Sequence, residues 1–174
     1  MTRIVDLVSW HGSSPVAGNS IIANPILLNK SDTDTRLSHL LDGIVVPEEG
    51  EQPVYTFVKN LRLYAVEEPD YWIGDFRLSF GSRPFSWQGV DVFVQKGDSY
   101  VDPVANGREP LAGFTNNAGQ YHIGNPLTID PGEITTGGFG EWIQIQARVT
   151  SLARAGIPAT FPITLQWRKL ANPS

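Results

Sequence analysis

Glu141-Trp-Ile-Gln-Ile-Gln-Ala-Arg-Val-Thr150 sets an apolar side chain at every second position. Ile143, Ile145, Ala147 and Val149 fall on one side, and Trp142, Gln144, Gln146 and Arg148 on the other. Successive side chains of a strand point to opposite faces, so this period of two reads as a β-strand with one buried face. Residues 160–168 repeat the pattern, with Phe161, Ile163, Leu165 and Trp167 alternating with Pro162, Thr164 and Gln166. In residues 72–80, Trp72, Gly74, Phe76, Leu78 and Phe80 share a face opposite Ile73, Asp75, Arg77 and Ser79. Residues 89–96 do the same, turning Val90, Val92 and Val94 inward.

Weaker signals extend the β reading to both ends. Residues 3–10 form a β-compatible run that closes at the turn-rich His11-Gly12-Ser13-Ser14-Pro15. Residues 20–29 follow, interrupted by Pro25, which cannot donate to a ladder and so marks an edge or a break. Ser31–Leu41 is the one helix candidate, with Asp32 or Thr33 as cap and Gly43 as stop. Residues 44–53 make an acidic, Pro-flanked loop carrying Glu48, Glu49 and Glu51. In residues 54–66, the longest strand candidate, Phe57, Leu61, Leu63 and Ala65 share a face if a bulge near Lys59-Asn60 absorbs the interruption. A Gly-, Pro- and Asn-rich excursion spans residues 97–110. A hairpin is expected next, with strands 111–115 and 120–123 about the turn Asn116–Gly119. Leu127–Ile129 reads as a short strand before a β-turn at Asp130-Pro131-Gly132.

These runs predict one all-β domain over residues 1–174. Eight to ten antiparallel strands with at most one short helix fit a β-sandwich, jelly-roll-like in connectivity. Composition agrees. The 174 residues suffice for a sizeable core, and 41% are hydrophobic. Only 18% are charged, while 17 Gly and 13 Pro supply turns. A net charge of −5 without a basic cluster larger than Trp167-Arg168-Lys169 argues against a nucleic-acid partner. The lack of Cys removes disulfides, thiolate nucleophiles and Cys-ligated metals. No apolar run approaches the roughly 20 residues of a membrane-spanning helix. The first residues lack the apolar stretch of a signal peptide, so cytoplasmic synthesis is expected.

Motifs that would carry chemistry do not assemble. His11, His39 and His122 lie far apart, without the short spacing to carboxylates that metal or acid–base sites use. Asp32 and Asp34, near Asp42, read as helix capping, since the spacing of a calcium loop is missing. Gly81-Ser82-Arg83 lacks the second Gly of a nucleophile elbow, and Thr136-Gly-Gly-Phe-Gly140 lacks the Lys-Ser/Thr of a phosphate loop. The expectation is a protein without catalytic residues, cofactor or metal.

Aromatics are the richer signal: five Trp, five Tyr and eight Phe. Trp72, Phe76, Phe80 and Trp167 fall on faces assigned to the core. Tyr71, Trp87 and Trp142 are the candidate interface or sugar-stacking residues, because exposed aromatics serve either role.

The stretches Asn60-Leu-Arg-Leu-Tyr64, Trp142–Arg148 and Phe161–Trp167, together with low charge and many amides, resemble structural proteins of tailed-bacteriophage virions. Capsid decoration proteins and adaptor or tail components built on β-sandwiches share this texture. The resemblance implies a non-enzymatic subunit of a virion, made in the host cytoplasm. Its partners would be other protein subunits in a trimer or another symmetric homo-oligomer on a larger particle. The alternative is a carbohydrate-binding or lectin-like module whose Trp and Tyr side chains stack on a glycan.

Overall fold

A computed structural model describes residues 5–12, 14–15, 20–22, 28, 44–65, 71–84, 86–103, 116–134, 138–154 and 162–171. The described strands are β1 (Val5–Trp10), β2 (Ser20–Ile22), β3 (Val54–Tyr55), β4 (Lys59–Ala65), β5 (Tyr71–Phe80), β6 (Val90–Gly97), β7 (Leu127–Ile134), β8 (Gly138–Val149) and β9 (Ile163–Ala171). They form a six-stranded and a three-stranded sheet, antiparallel at every pairing. The all-β sandwich is therefore the architecture. The jelly-roll connectivity expected from the strand count is not established by these pairings. The helix expected over residues 31–41 lies outside the described residues.

The 12-residue β8 is the spine of the large sheet. One edge carries β6 along Trp142–Val149. The other carries β4 and β3 end to end, with Lys59 opposite Ile145 and Val54 opposite Val149. The six strands thus occupy five positions across the sheet. Between β3 and β4, residues 56–58 face only Gln146 and Ala147, so the bulge expected near Lys59-Asn60 sits slightly earlier. Thr56 stitches it: its N–H donates to the Ala147 carbonyl and its hydroxyl accepts from the Ala147 N–H, both at 2.9 Å.

Ile143, Ile145 and Ala147 of β8 enter the core between the sheets, as their alternation requires. They meet Leu61, Leu63 and Ala65 of β4, Val92 and Val94 of β6, and Phe76, Leu78 and Phe80 of β5. Lys59 shares the inward parity of Leu61 and is only 1% exposed.

Four expectations are corrected here. First, β5 does not keep period two throughout. Asp75 takes a positive φ of 53°, and the register with both neighbours shifts around it. This bulge turns Ile73 into the core with Phe76, three residues on, where strict alternation would put Ile73 outside. The Asp75 carboxylate accepts from Arg77 Nε at 2.9 Å and lies 3.0 Å from Arg168 Nε, tying the bulge to β9. Second, Trp167 lies opposite the bulge on an edge strand and stays 41% exposed instead of joining the core. Third, β7 runs through Asp130-Pro131-Gly132 with no turn there, Pro131 falling where the register with β5 slips and no ladder donor is needed. Fourth, residues 118–120 form a short 3-10 turn and residues 120–123 are not a strand, so the second strand expected of the hairpin is missing there; its first, 111–115, lies outside the described residues.

Gly89 shows how closely the connections approach. At φ 75°, a Cβ there would lie 2.1 Å from the Ala153 nitrogen, while the Gly89 carbonyl accepts from Thr150 N–H at 2.8 Å. Urea unfolding of Ile143→Ala should show a loss of about 2–5 kcal/mol, the cost of a cavity in a filled core. Val45→Ala, at a side chain 77% exposed, should stay within about 0.5 kcal/mol of the parent. Equal losses at the two sites would contradict the burial described.

Candidate functional site: an aromatic and arginine cluster outside the large sheet

Antiparallel register lines up side chains across the outer face of the large sheet. Asp6, Tyr64 and Phe139 form one row, Val8, Arg62 and Trp142 the next, and Trp10, Asn60, Gln144 and Gln95 the third. Rows so spaced bring Cβ atoms of neighbours within about 5.5 Å, close enough for their rings to meet.

Trp10 is the hub. Its ring centroid lies 5.3 Å from Phe139 and 5.9 Å from Trp142, both edge-on. Tyr64 tilts onto Phe139 at 4.9 Å, and Tyr100 meets Trp142 edge-on at 5.4 Å. Over them lies Arg62, its Cζ 4.7 Å from the Trp142 centroid and 5.3 Å from that of Phe139. Arg62 Nε donates to the Gly140 carbonyl at 2.7 Å, whereas Nη2 reaches only the Phe139 carbonyl at 3.5 Å. Burial draws the Arg62 pKa down and the charge of nearby Glu141 opposes this; the group remains a cation. Glu141 itself pairs with Lys96 at 3.5 Å.

A polar row flanks the rings. Gln95 Nε2 donates to Gln144 Oε1 at 2.8 Å, and Gln144 Nε2 donates to the Ser99 carbonyl at 2.9 Å. Asn60 imitates a strand neighbour for Val101, donating to its carbonyl at 2.8 Å and accepting from its N–H at 3.1 Å. Residues 99–101 thus form a strap over the row, which Tyr100 closes by donating from its hydroxyl to the Gly12 carbonyl. Gly97 makes room for the Gln144 side chain, since a Cβ there would lie 2.7 Å from the Gln144 amide. Two buried polar atoms of adjoining residues, Trp10 Nε1 and His11 Nδ1, have no hydrogen-bond partner among the described residues.

The three candidate aromatics are not brought together. Trp142 lies in this cluster but is only 9% exposed, so it is a covered ring and not an open platform. Trp87 packs, half-buried, against the core between the sheets and bridges Val90. Tyr71 opens β5 opposite Ala171, and its side chain lies outside the described set. Within the cluster, the exposed rings are those of Tyr64 and Phe139. Sequence reading missed Trp10, Arg62, Tyr64, Tyr100 and Phe139 as a group. Arg62 and Tyr64 alternate with Leu61 and Leu63, which marks them as outward, but their neighbours follow only from register.

Among the described residues no group of three His, Asp or Glu side chains is placed to hold a metal ion. His122 Nδ1 accepts from Gly124 N–H in a turn apart from His11, while His39, Asp32, Asp34 and Asp42 lie outside the described residues. Comparison with protein-family models, curated proteins and solved structures finds no match.

A double-mutant cycle on Arg62→Ala and Trp142→Leu should give a coupling energy of about 0.5–2 kcal/mol in unfolding experiments, as a partly desolvated cation–π pair requires. Additive effects would show that the two side chains are merely adjacent.

Proposed function

We propose that this chain is a non-enzymatic structural subunit of a viral particle, a capsid decoration or tail-associated protein that acts through subunit interfaces. The observation carrying this reading is the outer-face cluster. Protein interfaces draw their energy from a few Trp, Tyr and Arg side chains backed by a firm scaffold, and Arg62, Tyr64 and Phe139 stand on two paired strands above buried Trp10 and Trp142. The resemblance of the sequence to tailed-bacteriophage virion proteins supports a particle as the setting; in this reading the working form is a homo-oligomer made in the host cytoplasm and incorporated into the virion.

A carbohydrate platform is the weaker fit. Sugar stacking wants an open ring face, and the planes of the cluster's two exposed rings, Tyr64 and Phe139, lie 47° apart. Native mass spectrometry and electron microscopy of the purified protein should reveal a symmetric oligomer that adds to particles assembled without it. Phe139→Ser should weaken assembly about tenfold while leaving the fold intact, because this ring is 41% exposed in the single chain. A protein that stays monomeric, leaves such particles bare and binds a glycan array would reverse the assignment.

A further inference from the structure

Arg62 has a cation's needs only half met. Its Nε is bound and its face is stacked, yet among the described residues no carboxylate lies within ion-pair distance of it. Near it, Trp10 is 92% buried (8% exposed), with its Nε1 donor unpartnered among the described residues. Tyr64 and Phe139 expose apolar area at the rim. A segment that fits here brings a carboxylate and an apolar side chain.

Such a segment exists in this chain, at the other end of the same sheet. The turn Glu48–Glu51 leads into β3, which pairs with Arg148 and Val149, whereas Arg62 pairs with Trp142. From Trp142 to Val149 the strand rises about 23 Å, so one molecule cannot join the two. The turn is firm: Glu51 N–H donates to the Glu48 carbonyl at 3.1 Å, and Glu48 N–H donates to Glu51 Oε2 at 2.7 Å. Glu48 and Glu49 are exposed and have no cation within ion-pair distance among the described residues. Val45, just before them, is 77% exposed.

We propose that the Arg62 cluster is the receptor for the Glu48–Glu51 turn of a second copy of this chain. A Glu carboxylate takes the terminal nitrogens of Arg62, and Val45 covers Phe139 and Tyr64. The inference rests on the subunit reading above and specifies its contact. Because the two surfaces differ, the contact is head-to-tail, which closes into a ring or continues as a filament.

Charge exchange tests it. Glu48→Lys/Glu49→Lys and Arg62→Glu are each prepared, checked by near-ultraviolet circular dichroism, and weighed by native mass spectrometry alone and in equal mixture. Each alone should assemble at least tenfold more weakly than the parent. The mixture should recover, since the Lys turn of one meets the Glu site of the other and the remaining pair is native. Assembly should also weaken as salt shortens the screening length from about 10 Å at 0.1 M to about 3 Å at 1 M. Unchanged assembly of the turn variant overturns the proposal, as does a folded mixture that does not recover. The turn is exposed, so that variant decides even where Arg62→Glu fails to fold. If the parent itself is monomeric, the subunit reading falls first and this contact with it; a parent that assembles beside unaffected variants removes this contact alone.

Discussion

The large sheet is arranged around a strand paired along both edges. β8 exchanges ladder bonds with β6 on one edge and with β3 and β4 on the other. Its inward side chains Ile143, Ile145 and Ala147 fill the space between the sheets, and its outward Trp142, Gln144 and Gln146 are covered as well. A strand buried on both faces is ordinarily apolar throughout. Here half of it is amide and aromatic, so the covering layer must satisfy polar groups as well as exclude water.

That requirement explains the strap at Ser99–Val101 and the bulge at Thr56. Gln146 Nε2 donates to the Thr56 carbonyl at 3.0 Å, Gln144 reaches Ser99, and Asn60 serves both polar groups of the Val101 peptide. Each bond adds modestly to stability, but removing one partner strands the other in a dry layer. Such networks fix how a covering segment sits, because a slip of one residue leaves several amides unpaired at once. The aromatic rows begin where these amides end, so the cluster inherits its position from them.

Alternation along the chain made the strand class legible, and with it the inward residues of β6 and β8. It gave Phe76, Leu78 and Phe80 correctly but not Ile73, because one residue at positive φ, Asp75, resets the phase without leaving any periodic trace. Pro131-Gly132 misled in a similar way: the pair suits a turn, and also a strand at a slipped register. The site was less legible than the fold. Trp142 could be placed on the polar face of its strand, yet its burial depends on Trp10 and Tyr100, which are remote in sequence and meet it only through cross-strand rows. Trp167 failed for the opposite reason: its parity matches Leu165, but an edge strand beside a bulge leaves it uncovered.

The pairing of β8 with β3 and β4 also sets an order of events at the ribosome. Leu61 and Leu63 emerge early, yet the partner that completes their sheet, Ile143 among it, is made some eighty residues later. Contacts this distant in sequence close slowly, because the entropy of a long loop is lost before any of them forms. β1 and β4 can meet sooner, leaving an unfinished apolar edge in the nascent chain until Gly138–Val149 arrives. The same strand that is paired along both edges in the finished protein therefore leaves the growing one open for much of its synthesis, and chaperone demand should be concentrated in that interval.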